Sequence, residues 1–322
     1  MNIKWLLLFI TTIYHIIATV WENRNIKIPG QLIDIGSHKL HFYIKGEGKY
    51  TVIIDHSLGG IDGYFLIEEL AKITRVCIYD RAGYGWSEMS LSPRSSGAIV
   101  RELNRALEKA EIEPPYILVG DSFGSYNARL YASQYPEKVA GLILTEGLHE
   151  KAMLDMSWKL RALQIFFMSG FAMSVLGSLL GLVRILGSIA FFEVLKKELR
   201  QFPLTTRKMV KRSFYRPQHW LTMWREMWNL DVSARQVKEA EKIGEIPLID
   251  IKSATFLKRS LGTFLFPLQA ADRLRDEIHA ELLQLSPHSQ QMLATKSDHF
   301  VWVDEPEIII AAVREILAQL ES

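Results

Sequence analysis

The chain has 322 residues, 48% of them hydrophobic, with 38 basic and 36 acidic residues and a formal net charge of +2. This length and composition exclude a disordered chain and allow a sizeable hydrophobic core. The balanced charge argues against nucleic acid as the main partner. Because Cys77 is the one cysteine, a disulfide framework is excluded, and its apolar neighbours predict a buried core residue.

Residues 1–28 are predicted to be a hydrophobic anchor or signal followed by a linker. Residues 5–20 carry no charge, a run somewhat shorter than the roughly 20 residues of a full membrane span. Residues 18–20 form a poor signal-peptidase site. The sequence therefore favours a membrane-associated protein with a single uncleaved anchor. Secretion after signal cleavage and an apolar helix packed on the domain are the alternatives.

Strand and helix patterns alternate over residues 29–149, the first part of the predicted core. Strand patterns lie at residues 32–35, 40–44, 51–54, 75–79, 116–119 and 139–144. Helix patterns lie at residues 61–73, 93–112 and 122–135. Such alternation predicts an α/β fold with a mostly parallel sheet that helices cover on both faces.

The alternation stops after residue 149, and residues 150–245 are predicted to be an inserted helical cap. Within it, residues 162–183 carry no charge and are long enough to span a membrane. Since this run falls between two halves of one sheet, we expect a lid or a membrane-touching cap rather than a second span. Residues 246–322 complete the core, with strands at 246–251 and 289–294 and helices at 272–285 and 306–320.

Two stretches carry the chemistry. Gly120-Asp121-Ser122-Phe123-Gly124 follows a strand pattern and precedes a helix pattern, which is the arrangement of a nucleophile elbow. A serine hydroxyl needs an imidazole to accept its proton. His299 suits that role, because it follows the last strand and lies at the same end of the sheet as Ser122. The spacing of His, Cys and carboxylate residues suggests no metal site, and no cofactor is expected.

Together these motifs resemble the α/β-hydrolase family over residue 29 to the end of the chain. The elbow, the Ser297-Asp298-His299 stretch and the segment at residues 79–87 occur in the family's order. The chain is most similar to bacterial hydrolases that carry an amino-terminal hydrophobic helix. The resemblance implies a serine hydrolase in which the backbone N–H groups of Leu58 and Phe123 form an oxyanion hole, although residues 56–60 lack the family's usual glycine after the histidine.

The resemblance leaves the acid of the triad open between two residues. The usual position after the seventh strand has no carboxylate, since residues 252–255 read Lys-Ser-Ala-Thr. Some branches of the family place the acid after the sixth strand, where this chain has Glu146. Glu146 is therefore our first choice and Asp272 our second.

The sequence thus predicts hydrolysis of an acyl bond, in a carboxylic ester or lipid-like substrate, through an acyl-enzyme intermediate. The expected partners are a small acyl substrate and a membrane, which the amino-terminal helix contacts. A small-peptide aminopeptidase and a non-catalytic ligand-binding member of the fold are the alternatives. A dehalogenase is disfavoured, because that reaction needs a carboxylate where Ser122 stands.

Overall fold

The computed structural model of the chain describes residues 3–240, 243–256 and 268–321, which contain one sheet of eight strands. The strands are β1 Gln31–Asp34, β2 Lys39–Lys45, β3 Thr51–Asp55, β4 Arg75–Asp80, β5 Tyr116–Asp121, β6 Val139–Thr145, β7 Leu248–Ser253 and β8 Ser289–Ala294. The helices before β7 are α1 Ile3–Asn25, α2 Ile67–Leu70, α3 Ser96–Lys109, α4 Phe123–Gln134, α5 Glu150–Leu154, α6 Trp158–Leu179, α7 Leu182–Ser188, α8 Phe191–Leu195, α9 Leu204–Phe214, α10 Pro217–Trp228 and α11 Leu230–Glu239. Those after β7 are α12 Leu268–Leu282, α13 Val301–Asp304 and α14 Pro306–Glu321.

The sheet has the order β1-β2-β4-β3-β5-β6-β7-β8. The β1–β2 and β2–β4 pairs are antiparallel, and all the other pairs are parallel. In the centre, Ile53 pairs with both Cys77 and Leu118. Every residue of β3 and β5 is buried, as expected for parallel strands with helices on both faces. The predicted α/β fold with a mostly parallel sheet is confirmed.

Side chains of successive strand residues build two separate cores, one on each face of the sheet. Leu118 and Leu142 pack with α3 and α4, and the next residues, Val119 and Ile143, pack with α14. Cys77 is fully buried in the first core, as predicted. The sheet therefore provides a rigid support for the residues at its carboxyl edge.

The predicted helix over residues 61–73 is wrong in its extent. The structure has a 3₁₀ helix, Asp62–Phe65, followed by the single turn of α2. Gly63 explains the break, because its N–H donates to His56 Nδ1 at 3.2 Å. A Cβ atom on Gly63 would lie 2.5 Å from Ile78 Cγ2, so the chain lies against β4 too closely for a regular amphipathic helix.

Helices α5 to α11 lie between β6 and β7 and form the helical insertion, here called the cap. Helix α10 packs directly on the core. A Cβ atom on Gly59 would lie 2.5 Å from Met223 Sδ, and one on Gly83 would lie 1.9 Å from Thr222 Oγ1. Glycine at these two positions thus allows α10 to approach the loops that follow β3 and β4.

Helices α1 and α6 are both long and apolar enough to cross a membrane, with mean hydropathies of 1.7 and 1.6, and only 6% of each apolar stretch is buried. Helix α1 nevertheless contacts the cap through polar groups. Thr11 Oγ1 donates to Leu180 O at 2.8 Å, and Glu22 forms ion pairs with Arg184 and with Arg216. Helix α1 therefore lies against α7 at one side, while its apolar side chains remain exposed.

Candidate active site

Ser122 lies between the end of β5 and the start of α4, in the geometry of a nucleophile elbow. Its backbone angles are φ 48° and ψ −111°, a strained conformation for a residue with a side chain. Two glycines make the turn possible. A Cβ atom on Gly120 would lie 2.7 Å from the carbonyl oxygen of Gly124, and one on Gly124 would lie 2.2 Å from that of Asp55. Ser122 N also donates to Thr145 O at 2.9 Å, which ties the elbow to β6.

His299 lies in the loop between β8 and α13, and its Nδ1 atom is 3.3 Å from Glu146 Oε2. The backbone supports this position, because His299 N donates to Phe256 O at 3.1 Å. The ring also packs against Phe256 and Phe300, with centroid distances of 5.2 and 5.9 Å. With Nδ1 directed at the carboxylate, the other ring nitrogen, Nε2, is the one left for proton transfer. The structure thus joins the predicted base to the first-choice acid.

Glu146 follows β6 and is 2% exposed. Its backbone φ is 47°, and its N–H donates to Ile251 O at 2.9 Å. Its Oε1 atom accepts the Ser253 N–H at 2.6 Å, and Arg275 Nη1 lies 3.4 Å from Oε2. Burial by itself would raise the pKa of Glu146, but the nearby imidazoles of His279 and His299 and the charge of Arg275 outweigh it and lower the pKa. Glu146 is therefore an ionised acceptor at neutral pH.

Asp272, the second-choice acid, has a different set of contacts. Its Oδ1 atom accepts the Phe256 N–H at 2.7 Å, and its Oδ2 atom lies 3.2 Å from Thr255 Oγ1. Asp272 thus holds the segment whose carbonyl receives the His299 N–H. Asp298, beside the base, accepts from Phe300 N at 3.1 Å, as expected for a residue that shapes the loop.

The predicted oxyanion groups are the backbone N–H groups of Leu58 and Phe123. Phe123 is the first residue of α4, so its N–H has no acceptor within the helix. Leu58 lies in the turn after β3, which is closed by a bond from Gly60 N to Ser57 O at 3.0 Å. Ser122 Oγ and His299 form no hydrogen bond among the described residues. Catalytic hydrogen bonds are often long without substrate.

A buried network that sequence reasoning missed holds the Leu58 loop. Arg81 donates to His56 O at 2.6 Å and to Ser57 O at 2.8 Å, and its guanidinium pairs with Asp55 and with Glu226 of α10. Arg81 is 1% exposed and Glu226 is fully buried. The motif at residues 79–87 contains Arg81, but no sequence pattern connects it with a glutamate 145 positions away.

Sequence reasoning gave no role to three further residues behind Glu146: Asp250 on β7, and Arg275 and His279 on α12. A signal was present in the sequence, because Arg275 and His279 are four residues apart and therefore share a helix face. Asp250 is likewise the one charged residue inside an otherwise apolar strand pattern at residues 246–251. Among the described residues, no group of three or more His, Cys, Asp and Glu side chains could hold a metal ion.

Comparisons with known proteins agree with the fold described above. A sequence profile described as the alpha/beta hydrolase fold matches residues 50–183. The YbdG protein of Bacillus subtilis is 30% identical over 135 residues, which are 41% of this chain and 42% of that protein. A vacuolar membrane protein of Saccharomyces cerevisiae is 36% identical over 116 residues, 34% of this chain and 18% of that protein. The aligned stretch thus spans less than half of each of these relatives.

Solved structures extend the match over most of the chain. The epoxide hydrolase CorEH has a TM-score of 0.66 at 16% identity, covering 91% of this chain and 100% of that one. The enol-lactonase of Burkholderia xenovorans has a TM-score of 0.62 at 13% identity, covering 89% of this chain and 100% of that one. At such identities the likeness concerns the fold. With the profile match over residues 50–183, it shows that the chain has the α/β-hydrolase fold.

Proposed function

We propose that this protein is a serine hydrolase that cleaves an acyl bond through an acyl-enzyme intermediate. The observation that carries the proposal is the contact between His299 Nδ1 and Glu146 Oε2, at the same edge of the sheet as the strained Ser122 elbow. A buried carboxylate that accepts from one imidazole nitrogen leaves the other as the base. This arrangement is the one that an unactivated serine hydroxyl requires.

In the proposed reaction, Ser122 Oγ attacks the acyl carbonyl while its proton moves to His299 Nε2. The oxyanion of the tetrahedral intermediate receives the N–H groups of Leu58 and Phe123. His299 then gives the proton to the departing alcohol. Water enters, loses a proton to His299 and attacks the acyl group on Ser122, which releases the acid and restores the serine. Glu146 keeps its charge and orients His299 throughout.

An ester of an apolar acid is the substrate class that we favour. Helices α1 and α6 leave many apolar side chains exposed, including Trp5, Phe9 and Met173 at 67%, 62% and 72%. A surface of this kind associates with lipid, where such esters partition. We also propose that α1 is retained as the membrane anchor, because its polar contacts with the cap would be lost if it were cleaved as a signal.

A panel of substrates tests the proposed activity. p-Nitrophenyl esters of increasing acyl length should be hydrolysed by the native protein, with a preference for longer chains, and aminoacyl p-nitroanilides should not. The Ser122→Ala variant should lose ester hydrolysis. Cleavage of the anilides in preference to the esters would instead support the aminopeptidase reading. Turnover that survives Ser122→Ala would contradict the serine mechanism.

Fractionation of cells tests the proposed location. The full chain should sediment with membranes, and a variant lacking residues 1–20 should move to the soluble fraction. Persistence of the truncated variant in the pellet would assign membrane contact to α6 and the cap. If the intact mass of the isolated protein is lower by the mass of the α1 segment, retention of the anchor is contradicted.

A further inference from the structure

A second buried charge pair lies directly behind the candidate acid. His279 Nδ1 is 2.8 Å from Asp250 Oδ1 and 2.7 Å from Oδ2. The other ring nitrogen, Nε2, faces Glu146 Oε1 at 3.6 Å. His279 is 1% exposed and Asp250 is fully buried. The imidazole therefore stands between two buried carboxylates, one of which contacts His299.

We propose that Asp250 and His279 are positioning residues, which together hold the Glu146 carboxylate so that its Oε2 atom faces His299. The inference rests on the proposed serine hydrolase function, because it assigns a task to residues that act through the candidate acid. It places two residues behind the candidate triad of Ser122, His299 and Glu146: His279 lies next to Glu146, and Asp250 lies beyond His279.

The two oxygens of the Glu146 carboxylate have different neighbours. Oε1 receives Ser253 N and faces His279, whereas Oε2 lies near His299 and Arg275. A carboxylate with donors on Oε1 cannot rotate without breaking a 2.6 Å bond in a dry environment. His279 thus lies against Oε1, the oxygen of Glu146 that does not contact His299.

His279 can act in this way only when both of its nitrogens carry protons. Burial lowers its pKa, but the hydrogen bond to Asp250 and the nearby carboxylates of Asp250 and Glu146 outweigh burial and raise it. With Arg275, the cluster then contains two positive and two negative side chains. Such compensation is what allows four buried charges to persist. Gln291 Nε2 completes the shell of Asp250 by donating to Oδ2 at 2.9 Å.

Charged groups on the neighbouring elements face away from this cluster. Lys252 of β7 pairs with Asp276 of α12 at 2.6 Å, and Asp276 is largely exposed. Lys151 of α5 pairs with Glu281 of α12 at 3.0 Å, and Lys151 is largely exposed. The titratable groups that face His279 are Asp250 and Glu146, and those that face Glu146 are His279, His299 and Arg275. Removal of His279 therefore changes the charge next to Glu146 more than elsewhere.

The test measures the rate of fluorophosphonate labelling and of p-nitrophenyl butyrate hydrolysis for His279→Gln and Asp250→Asn. We expect each to lower kcat roughly 10- to 100-fold with KM within about threefold, the range expected for a misplaced catalytic group. For His279→Gln, the acidic limb of the pH profile of kcat/KM should move to higher pH by about one unit, because a positive charge near the base is lost. His288→Gln is the matched control, since His288 is exposed and pairs with Glu245.

A purely structural role would give a different result. In that case the melting temperature would fall while kcat and the acidic limb of the folded variants stayed within about twofold of the native values, which would overturn the inference. Asp250→Asn preserves shape and serves where His279→Gln does not fold. The two proposals can fail separately. The hydrolase proposal is refuted if the native protein is not labelled at Ser122. The positioning role alone is refuted if the native protein and both variants are labelled at the same rate.

Discussion

Glu146→Gln is the substitution that distinguishes the two candidate acids most sharply. Around the carboxylate of Glu146, the described contacts are all with nitrogen atoms: Ser253 N, Arg275 Nη1, His279 Nε2 and His299 Nδ1. A glutamine replaces one acceptor with an NH₂ group. In one orientation that group meets the Ser253 N–H, which is 2.6 Å from Oε1 in the native protein. In the other it meets His299 Nδ1 and favours the tautomer whose Nε2 carries a proton and cannot act as the base.

The expected loss follows from these two orientations. A wrong tautomer at a triad histidine lowers kcat by up to about 10⁴-fold, and the alternative orientation loses a buried hydrogen bond. We therefore expect kcat/KM to fall by about 10³-fold, equivalent to roughly 4 kcal/mol in the activation free energy. The assay is hydrolysis of p-nitrophenyl butyrate at pH 7.5, with the melting temperature measured in parallel to exclude unfolding.

Asp272→Asn is the matched control for this experiment. Its amide oxygen can still accept the Phe256 N–H, and the Thr255 hydroxyl can rotate to accept from the new NH₂ group. The loop that supports His299 should survive, so kcat/KM should fall less than about threefold. A larger loss for Asp272→Asn than for Glu146→Gln would refute the assignment of Glu146 as the acid.

Three further predictions concern stability. Gly124→Ala should lower the free energy of unfolding in urea by about 2 kcal/mol, because its Cβ atom would lie 2.2 Å from a backbone oxygen. Gly170→Ala is the control and should stabilise α6 slightly, because nothing lies within 4 Å of the added Cβ atom. Equal effects of the two substitutions would contradict the tight packing inferred for the elbow. Glu226→Gln should lower the free energy of unfolding by about 3 kcal/mol, because it breaks the buried ion pair with Arg81. Glu68→Gln, at the exposed pair with Lys45, should lower it by less than about 1 kcal/mol. Similar losses for both would refute the structural role of the buried pair. Burial and the Arg81 charge lower the pKa of His56 to about 4, below its unfolded value of about 6.5. The free energy of unfolding should therefore decrease by about 3 kcal/mol as the pH falls from 6.5 to about 4, a loss that His56→Gln should remove.

The sequence predicts the sheet and the elbow because their signals are local. The parallel strands are short apolar runs between turns, and Ser122 lies between two glycines immediately after one of them. Glu146 could be proposed because the end of β6 and the elbow must meet at the same edge of a parallel sheet. The position of a residue along a strand therefore predicts its neighbours on the adjacent strand.

Contacts between distant elements carry no such signal. The pairing of Arg81 with Glu226 depends on how α10 approaches the core, which glycines at residues 59 and 83 permit. The length of the helix predicted at residues 61–73 was wrong because Gly63 bonds to a side chain rather than within a helix. Each failure arises where tertiary packing overrides local periodicity.

Mass spectrometry of the fluorophosphonate-treated protein shows whether Ser122 is an activated nucleophile. We expect one adduct per native chain, located on Ser122 by peptide mapping, a strongly reduced labelling rate for His299→Gln, and no adduct for Ser122→Ala. An unmodified native protein, or an adduct of equal yield in Ser122→Ala, would contradict the claim that Ser122 is an activated nucleophile.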